Sequence, residues 1–392
     1  MVPPASPPPS PPADRVNPRL RPLLLLTLVL LPLAPGALSR LLGGDGPGLP
    51  VTAARETPLP ASEQTPLESR HLAVVINSAD PVSEAIGRHY ARVRHLGPQQ
   101  LIRVRFPAGQ AALSAGAFHR LHRQVAQRTP PGIQAYALAW AAPWRVGCVS
   151  ITSAFAFGRL RSGCLHSCRA TPLNPWYARG EVRRPWRQLG LRPTMLLAAT
   201  SASAGRSLID RGRAADGSGP PGTVYLLSSS DPLRNVRAPF YAALEGMLGR
   251  RLQVRVLQGD ALRGATDVIA YFTGLAAVPE LASLHFRPGA VADHLTSNGG
   301  MLTGPSGSSS DGGNGQMSAL RWLEAGATGS YGTVVEPCNL TAKFPHPGLL
   351  LTYYRRGDTL IESYWRSVAM PDQGVFIGEP LARPWGPRPQ RS

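Results

Sequence analysis

Lysine is almost absent from this chain of 392 residues: Lys343 is the only one, beside forty arginines. Acidic residues are also few, 23 against 41 basic ones, which leaves a formal net charge of +18. The arginines are scattered and form no basic run with interleaved aromatic residues, so a nucleic-acid partner is not expected. The bias towards arginine is more typical of a GC-rich genome than of selection for phosphate contacts. The charge does predict weak attraction to anionic lipid or polysaccharide surfaces.

A long apolar run is also missing, because the strongest one, at 22–34, is shorter than the roughly 20 residues of a membrane-spanning helix. Three arginines precede this run within a proline-rich leader, and small residues follow it. This order is typical of a secretory signal. We therefore predict a signal peptide or N-terminal anchor at 1–39 and an exported protein, periplasmic, extracellular or held in the cell envelope. A membrane tether through 20–39 remains an alternative.

Cysteine is scarce, with four residues at Cys148, Cys164, Cys168 and Cys338. An even number in an exported chain predicts disulfides, and four cysteines allow three pairings. The first three are close in sequence, so at least one bridge is expected there, while Cys338 either completes a second bridge or stays free. A zinc site from the first three cysteines and His166 is less favoured, because the spacing matches no standard zinc module.

Hydrophobic residues make up 43% of the chain, enough for a sizeable core. Apolar runs at 71–76 and 101–106 flank a helical pattern at 83–95, and the order of strand, helix and strand returns at 223–228, 236–248 and 252–258. The two units share Ser-x-Asp-Pro and Tyr-Ala at a constant offset of 151 residues. We predict an α/β protein, with α/β/α layers, mainly parallel sheets and two related halves.

The predicted organisation has five parts. A proline- and glycine-rich linker at 40–70 follows the N-terminal segment. The first half covers 71–215 and carries the cysteine-containing insertion, the second half covers 216–383, and 384–392 is a disordered tail. Within the second half, a strand is expected at 267–272, a short helix at 290–297, a brief strand at 299–302 and a strand at 327–335.

Cys338 is the first candidate for chemistry, because it follows a predicted strand and the pair Glu336-Pro337. Loops at the ends of strands often carry reactive groups in α/β proteins. A catalytic cysteine needs a base within reach, for which His285 and His294 are candidates, with Glu336 or Asp293 to orient the base. The alternative, a disulfide or a small buried side chain, is favoured because no cysteine-peptidase signature surrounds Cys338.

Asp80 and Asp231 each lie between a predicted strand and a predicted helix. A carboxylate at this position caps the helix by accepting backbone N–H bonds, which is the favoured interpretation. The functional alternative is a cleft at the strand ends, whose lining would comprise Asp80, Ser83, Asp231, Thr273, Asn298 and Lys343. The glycine-rich loop at 304–315 lacks the ending of a phosphate loop and the spacing of a calcium loop, and no cofactor or metal is predicted.

A family resemblance is carried by five stretches of the sequence, at 74–94, 148–158, 208–237, 286–300 and 326–384. Through these stretches the chain resembles a bacterial protein family of unknown function that occurs in species with exosortase, the proposed protein-sorting transpeptidase of the envelope. The resemblance implies an exported envelope protein without an established activity, whose partner is an envelope protein or a polysaccharide.

Near the end of the chain the motifs Gly-Ala…Gly-Thr, Gly-Asp-Thr-Leu-Ile-Glu and Gly-Glu-Pro-Leu follow one another. This order and the two related halves are similar to gingipain-type cysteine peptidases, which implies a caspase-like architecture. The peptidase dyad does not carry over. Thr273-Gly274 stands where the family has its catalytic histidine, and 297–300 contains no cysteine. We therefore expect a binding or accessory protein of surface sorting or polysaccharide production, with a divergent hydrolase that uses Cys338 as the alternative.

Overall fold

The computed structural model describes residues 60, 63–161, 168–304 and 315–387. The chain from Pro58 onwards forms one compact unit, so the two predicted halves are not separate bodies. The predicted signal segment, most of the linker, the glycine-rich loop and the end of the tail lie outside the described residues. Within those residues, every helix is too short or too polar to cross a membrane.

The described part of the chain contains thirteen strands and nine α-helices. The strands are Leu72–Asn77 (β1), Leu101–Val104 (β2), Ala112–Leu113 (β3), Ala135–Leu138 (β4), Arg145–Val146 (β5), Val149–Ser150 (β6), Thr194–Leu196 (β7), Thr223–Ser228 (β8), Gln253–Gln258 (β9), Val268–Thr273 (β10), Phe286–His294 (β11), Gly329–Thr333 (β12) and Gly374–Gly378 (β13). The helices are Pro81–Val93 (α1), Ala115–Arg128 (α2), Ile151–Phe157 (α3), Pro185–Leu189 (α4), Ala202–Ala215 (α5), Tyr241–Leu248 (α6), Leu320–Glu324 (α7), Pro347–Arg355 (α8) and Leu360–Ser367 (α9).

Ten of the strands form one large sheet in the order β2-β1-β4-β7-β13-β12-β11-β10-β8-β9. Pairing is parallel from β2 to β7 and from β9 to β12, while β12 and β13 are antiparallel. Each half starts with an inner strand, β1 or β8, and then adds its second strand on the outside. The predicted α/β class with a mainly parallel sheet is confirmed, and the two halves share a single sheet.

Inner strands of the sheet are covered on both faces, as β1 shows. All six residues of β1 are buried. Val74 and Ile76 belong to one apolar core with Ile86 of α1, whereas Val75 belongs to a second core with Phe118 of α2. A strand with apolar side chains on both faces fits only between two layers of helices, which is why its sequence is continuously apolar.

Matching turns link strand and helix in the two halves. Asp80 caps α1 by accepting a 2.9 Å hydrogen bond from the Val82 N–H, and Ser83 Oγ accepts one from Asn77. In the second half, Asp231 accepts from the N–H of Leu233 at 3.0 Å. Asp80 therefore caps α1, as the favoured interpretation of the sequence predicts. Asp231 instead stabilises a turn, because α6 begins only at Tyr241.

The segment at 290–297 is not a helix, which corrects one prediction. Its first part belongs to β11, which pairs in parallel with β10 and ends with His294 opposite Thr273. The last six residues of β11 are buried, and neighbours such as Val291 and Ala292 pack into different cores. Burial on both faces overrides the helical preference of the alanines. The expected strand at 299–302 is also absent there, where the chain forms a turn.

The end of the predicted linker is packed against the folded body. Leu67 exposes only 2% of its surface and donates its backbone N–H to Glu362 at 3.1 Å. Glu63 forms a 2.6 Å ion pair with Arg187. The folded part therefore begins before His71, because apolar and charged side chains within the linker find partners on the body.

Candidate functional site

Cys338 lies in a tight turn after β12. Cys338 and Asn339 both have φ of 57°, in the left-handed region that residues other than glycine seldom adopt. Glu336 stabilises the turn, since its Oε1 accepts a 2.7 Å hydrogen bond from the Cys338 N–H. The Cys338 sulfur is bonded to Cys168 in a disulfide, with the two Cα atoms 4.9 Å apart. A cysteine acts as a nucleophile only as a thiolate. Disulfide-bonded Cys338 therefore cannot be a catalytic residue.

The other cysteines also bear on the sequence predictions. Cys148 is disulfide-bonded as well, and no cysteine among the described residues is free. Cys164 and His166 lie outside the described residues. The disulfide at Cys168 removes one ligand of the alternative zinc site, and the described residues contain no cluster of His, Cys, Asp and Glu that could hold a metal ion.

His294, a proposed base, is a buried structural residue. Its Nδ1 accepts a 2.9 Å hydrogen bond from the indole N–H of Trp322, and its Nε2 faces the carbonyl oxygen of Met317 at 3.0 Å. A carbonyl can only accept, so the neutral ring carries its proton on Nε2. Burial lowers the pKa of His294 to about 4, although the Met317 carbonyl opposes the shift. Both ring nitrogens are engaged, so His294 has no position left from which to act as a base.

The remaining members of the proposed acid/base set are also separate from one another. His285 is exposed in the loop before β11. Glu336 holds the turn at Cys338, and Asp293 forms a 2.6 Å ion pair with Arg237. The structure therefore does not assemble a catalytic group around Cys338.

Arg237, which the sequence did not single out, connects three parts of the second half. Besides the pair with Asp293, its guanidinium donates to the carbonyl oxygens of Thr273 at 2.7 Å and Pro345 at 3.3 Å. Both side chains of the ion pair are almost fully buried. Burial raises the pKa of Asp293, and the nearby Arg237 opposes the rise. Arg237 thus joins the start of α6 to the end of β10 and to the segment before α8.

The proposed cleft does not contain all of its predicted members. Asp80 and Ser83 follow β1, whereas Asp231 follows β8, and these strands are second and ninth in the sheet. Seven steps of about 4.8 Å separate the two strands by roughly 34 Å. The prediction of a single cleft that contains all three residues is therefore wrong.

A chain of hydrogen bonds does bring Asp231 and Asn298 into one region. Asp231 pairs with Arg234 at 2.7 Å, and Arg234 donates to Thr296 Oγ1 at 3.1 Å. Thr296 in turn donates to Gln316 Oε1, which also accepts from the backbone N–H of Asn298 at 2.8 Å. These contacts lie at the ends of β8 and β11 and stabilise the loops there.

Lys343 is buried and does not line a cleft. Burial lowers the pKa of Lys343 to about 8, against the attraction of Glu336 and Asp372. The Tyr331 hydroxyl donates a 2.5 Å hydrogen bond to the carbonyl oxygen of Lys343. The only lysine of the chain is therefore part of the packing beneath the disulfide-bonded turn.

An open pocket of about 310 Å³ lies between α6 and the segment that leads into α8. Arg237 and His346 supply polar groups to its wall. Burial lowers the pKa of His346, and its Nδ1 accepts from the N–H of Leu349 at 3.3 Å. Most of the remaining wall is apolar and includes Tyr177, Phe240, Leu244, Phe344, Pro345 and Pro347. We call this the α6–α8 pocket.

Comparison with known proteins gives little beyond the fold. No family model and no curated protein matches the chain. Among solved structures, the chain is similar to the one titled "Crystal structure of the Arg specific cysteine proteinase gingipain R (RGPB)", with 10% identity over 81% of this chain and 80% of that one, at a TM-score of 0.40. The gingipain resemblance thus has a counterpart, whereas the exosortase-associated family has none. A similarity of this extent identifies neither an activity nor a substrate.

Proposed function

We propose that this chain is an exported binding protein that receives an apolar side chain of an envelope partner in the α6–α8 pocket. The observation that carries the proposal is the pocket itself, about 310 Å³ in volume and lined mainly by aromatic, leucine and proline side chains. Concave, mostly apolar sites with a few polar groups are the usual form of binding pockets. A single aromatic or large aliphatic side chain is the group that matches this lining.

The rim of the pocket supports binding of another chain. Phe240 lies on the wall yet exposes 55% of its surface, and Met247, further along α6, exposes 52%. Exposed apolar groups of this size beside a pocket are typical of interaction sites. Aromatic residues at the centre of an interface often contribute most of its binding energy.

The wall that precedes α8 is held in place from several directions. The Cys168–Cys338 disulfide fixes the turn just before it. The Ala342 carbonyl accepts from the N–H of Met370 at 2.8 Å, and the N–H of His346 donates to the Ser367 carbonyl at 2.9 Å. A wall that is ordered before the partner arrives lowers the entropy cost of binding.

The proposed compartment rests on the disulfides and on the sequence. Disulfides persist in oxidising compartments such as the periplasm and the cell exterior. The signal-like N-terminus agrees with export, and the exosortase-associated resemblance directs the search towards surface sorting or polysaccharide production. An envelope protein is therefore the proposed partner, because a polysaccharide has no apolar side chain for the pocket, and nucleic acid is not proposed.

The test is a pull-down from native envelope with purified wild type and pocket variants. Thr341→Trp places a large side chain at the exposed edge of the pocket, and Phe240→Ser removes an apolar rim group. Both should lose the partners that wild type captures. Leu233→Ser is the matched control, because Leu233 is 66% exposed and lies outside the pocket lining.

Two results would overturn the proposal. One is the same set of partners from wild type and from both pocket variants. The other is cleavage of envelope proteins by reduced wild type that Cys338→Ala abolishes, because this would restore the hydrolase alternative.

A further inference from the structure

The two edges of the ten-stranded sheet differ in how their outward-facing backbone groups are satisfied. At the β2 edge, the Ser78 N–H reaches the Val104 carbonyl at 2.8 Å, so Val104 faces β1. Because neighbouring residues of a strand direct their backbone groups to opposite sides, Leu101 and Arg103 face outwards. The Arg103 carbonyl accepts from the Arg128 guanidinium, and the Leu101 N–H donates to the Pro98 carbonyl. The chain itself thus covers outward groups on this edge.

On the β9 edge, the described residues supply no such partners to Val254 and Val256. The Gly259 N–H donates to the Ser228 carbonyl at 2.9 Å, which places the backbone groups of Val254, Val256 and Gln258 on the outer side. Strand β9 pairs with β8 along all six residues and is the last strand of the sheet. Within the described part of the chain, no hydrogen bond reaches the outward groups of Val254 and Val256. The strand contains no proline that would block pairing with another strand.

The charge around this edge is positive. Arg250, Arg251 and Arg255 are all exposed. None of the three forms a salt bridge with a described residue, in contrast to Arg103 on the β2 edge, which pairs with Glu84 at 3.0 Å. Asp260, just beyond β9, accepts hydrogen bonds from Ser230 instead. An acidic segment complements this set of side chains.

We propose that the outer edge of β9 binds an extended, acidic segment of a partner protein, which adds an eleventh strand to the sheet. In such strand addition, backbone hydrogen bonds provide affinity and alternate side chains provide selectivity. Carboxylates at every second position of the segment would lie on the face that carries Arg255. This site is on a different element from the pocket wall, so it does not depend on the pocket function.

The first test measures the fluorescence anisotropy of fluorescein-labelled peptides titrated with the full chain. The acidic probe alternates glutamate and valine over seven residues with blocked ends. One control carries N-methyl groups on alternate amides, which removes the donors of one edge, and another replaces glutamate with lysine. The acidic probe should bind, and both controls should bind at least about tenfold more weakly.

Two pairs of variants locate the binding to β9. Val256→Pro removes an outward N–H, which an edge strand tolerates, and Val256→Thr keeps it. Arg251→Glu with Arg255→Glu reverses the charge of the edge, and Arg120→Glu with Arg123→Glu makes the same change on exposed positions of α2. Val256→Pro and the charge reversal at Arg251 and Arg255 should each weaken binding at least about tenfold. The two control variants should bind within about twofold of wild type. Unfolding midpoints check that all four variants are folded.

Several outcomes would overturn the assignment. One is equal binding of the acidic and N-methylated peptides, because the backbone would then make no contribution. Another is unchanged binding by Val256→Pro. A third is concentration-dependent self-association of wild type that Val256→Pro abolishes, because a second copy would then be the occupant of the edge.

Discussion

The buried histidine on β11 makes the stability of this protein depend on pH in a way that one substitution can isolate. Between pH 6.5 and 4, an unfolded chain protonates His294, whereas the folded chain does not, because burial lowers the pKa of His294 to about 4. The unfolded state therefore binds more protons, and stability falls as the pH falls through this range. The difference of about 2.5 pKa units corresponds to a loss of about 3 kcal/mol, most of which is reached by pH 4.

His294→Gln separates this contribution from all others. The glutamine amide can still donate to the Met317 carbonyl, but it does not titrate and leaves the Trp322 indole N–H without an acceptor. The missing hydrogen bond should cost about 1–3 kcal/mol at every pH. Since wild type alone loses stability through His294 on acidification, the stability of wild type minus that of His294→Gln should fall by about 3 kcal/mol from pH 7 to pH 4, to zero or below.

Urea unfolding followed by tryptophan fluorescence at pH 7, 6, 5 and 4 measures this difference. Carboxylates and other histidines contribute equally to both proteins and cancel. His119→Gln, at an exposed position on α2, is the control and should show no such change with pH. A difference between wild type and His294→Gln that stays constant from pH 7 to pH 4 would refute the reasoning, because the histidine would then be protonated equally in both states.

Three further predictions concern a disulfide, a close approach of two backbone segments and a buried ion pair. Replacing Cys168 and Cys338 by serine should cost up to about 5 kcal/mol of unfolding free energy, since the disulfide closes a separation of 170 residues. Reduction of wild type should cost at least as much, because it also opens the disulfide at Cys148. No loss in either protein would contradict the role of the bridge. Gly332→Ala should cost several kcal/mol in urea unfolding, because a Cβ would lie 2.3 Å from the backbone carbon of Gly299. Gly246→Ala is the control, since a Cβ there meets open space beside α6, and it should be neutral or stabilising by up to about 1 kcal/mol. Equal effects of the two substitutions would count against the packing argument. Glu379→Ala should lower the free energy of unfolding by about 3–5 kcal/mol, because it leaves the buried Arg94 without its two hydrogen bonds to Glu379 at 2.9 and 2.5 Å. A thermal unfolding midpoint like that of wild type would rule this out.

Secondary structure could be predicted wherever the pattern of apolar residues was distinctive. Thr223–Ser228 was expected as a strand and forms β8 with the same bounds. The helix predicted at 83–95 is α1, which starts two residues earlier because Asp80 and Pro81 supply the cap and the first turn. Strand β11 was missed, since its small residues fit a helix equally well and only the neighbours on both faces decide the outcome.

The candidate site was harder to predict, because its parts come together only in the folded chain. The sequence left three pairings for four cysteines, and the approach of Cys168 to Cys338 depends on loops far apart in the chain. Arg237 had no distinguishing signal among forty arginines, and its role arises from the buried carboxylate of Asp293. His294 resembled a catalytic base in sequence, but Trp322 and Met317 occupy both of its nitrogens.

The position of β13 has a consequence for how the protein is made. Among the described strands, β13 comes last in the chain, yet it lies in the middle of the sheet between β7 and β12. During synthesis, the strands on both sides of β13 are made earlier, and the edges that it will join stay unpaired until 374–378 has been made. A chaperone that shields these edges, or delayed folding until the chain is complete, would protect the nascent protein from premature strand pairing.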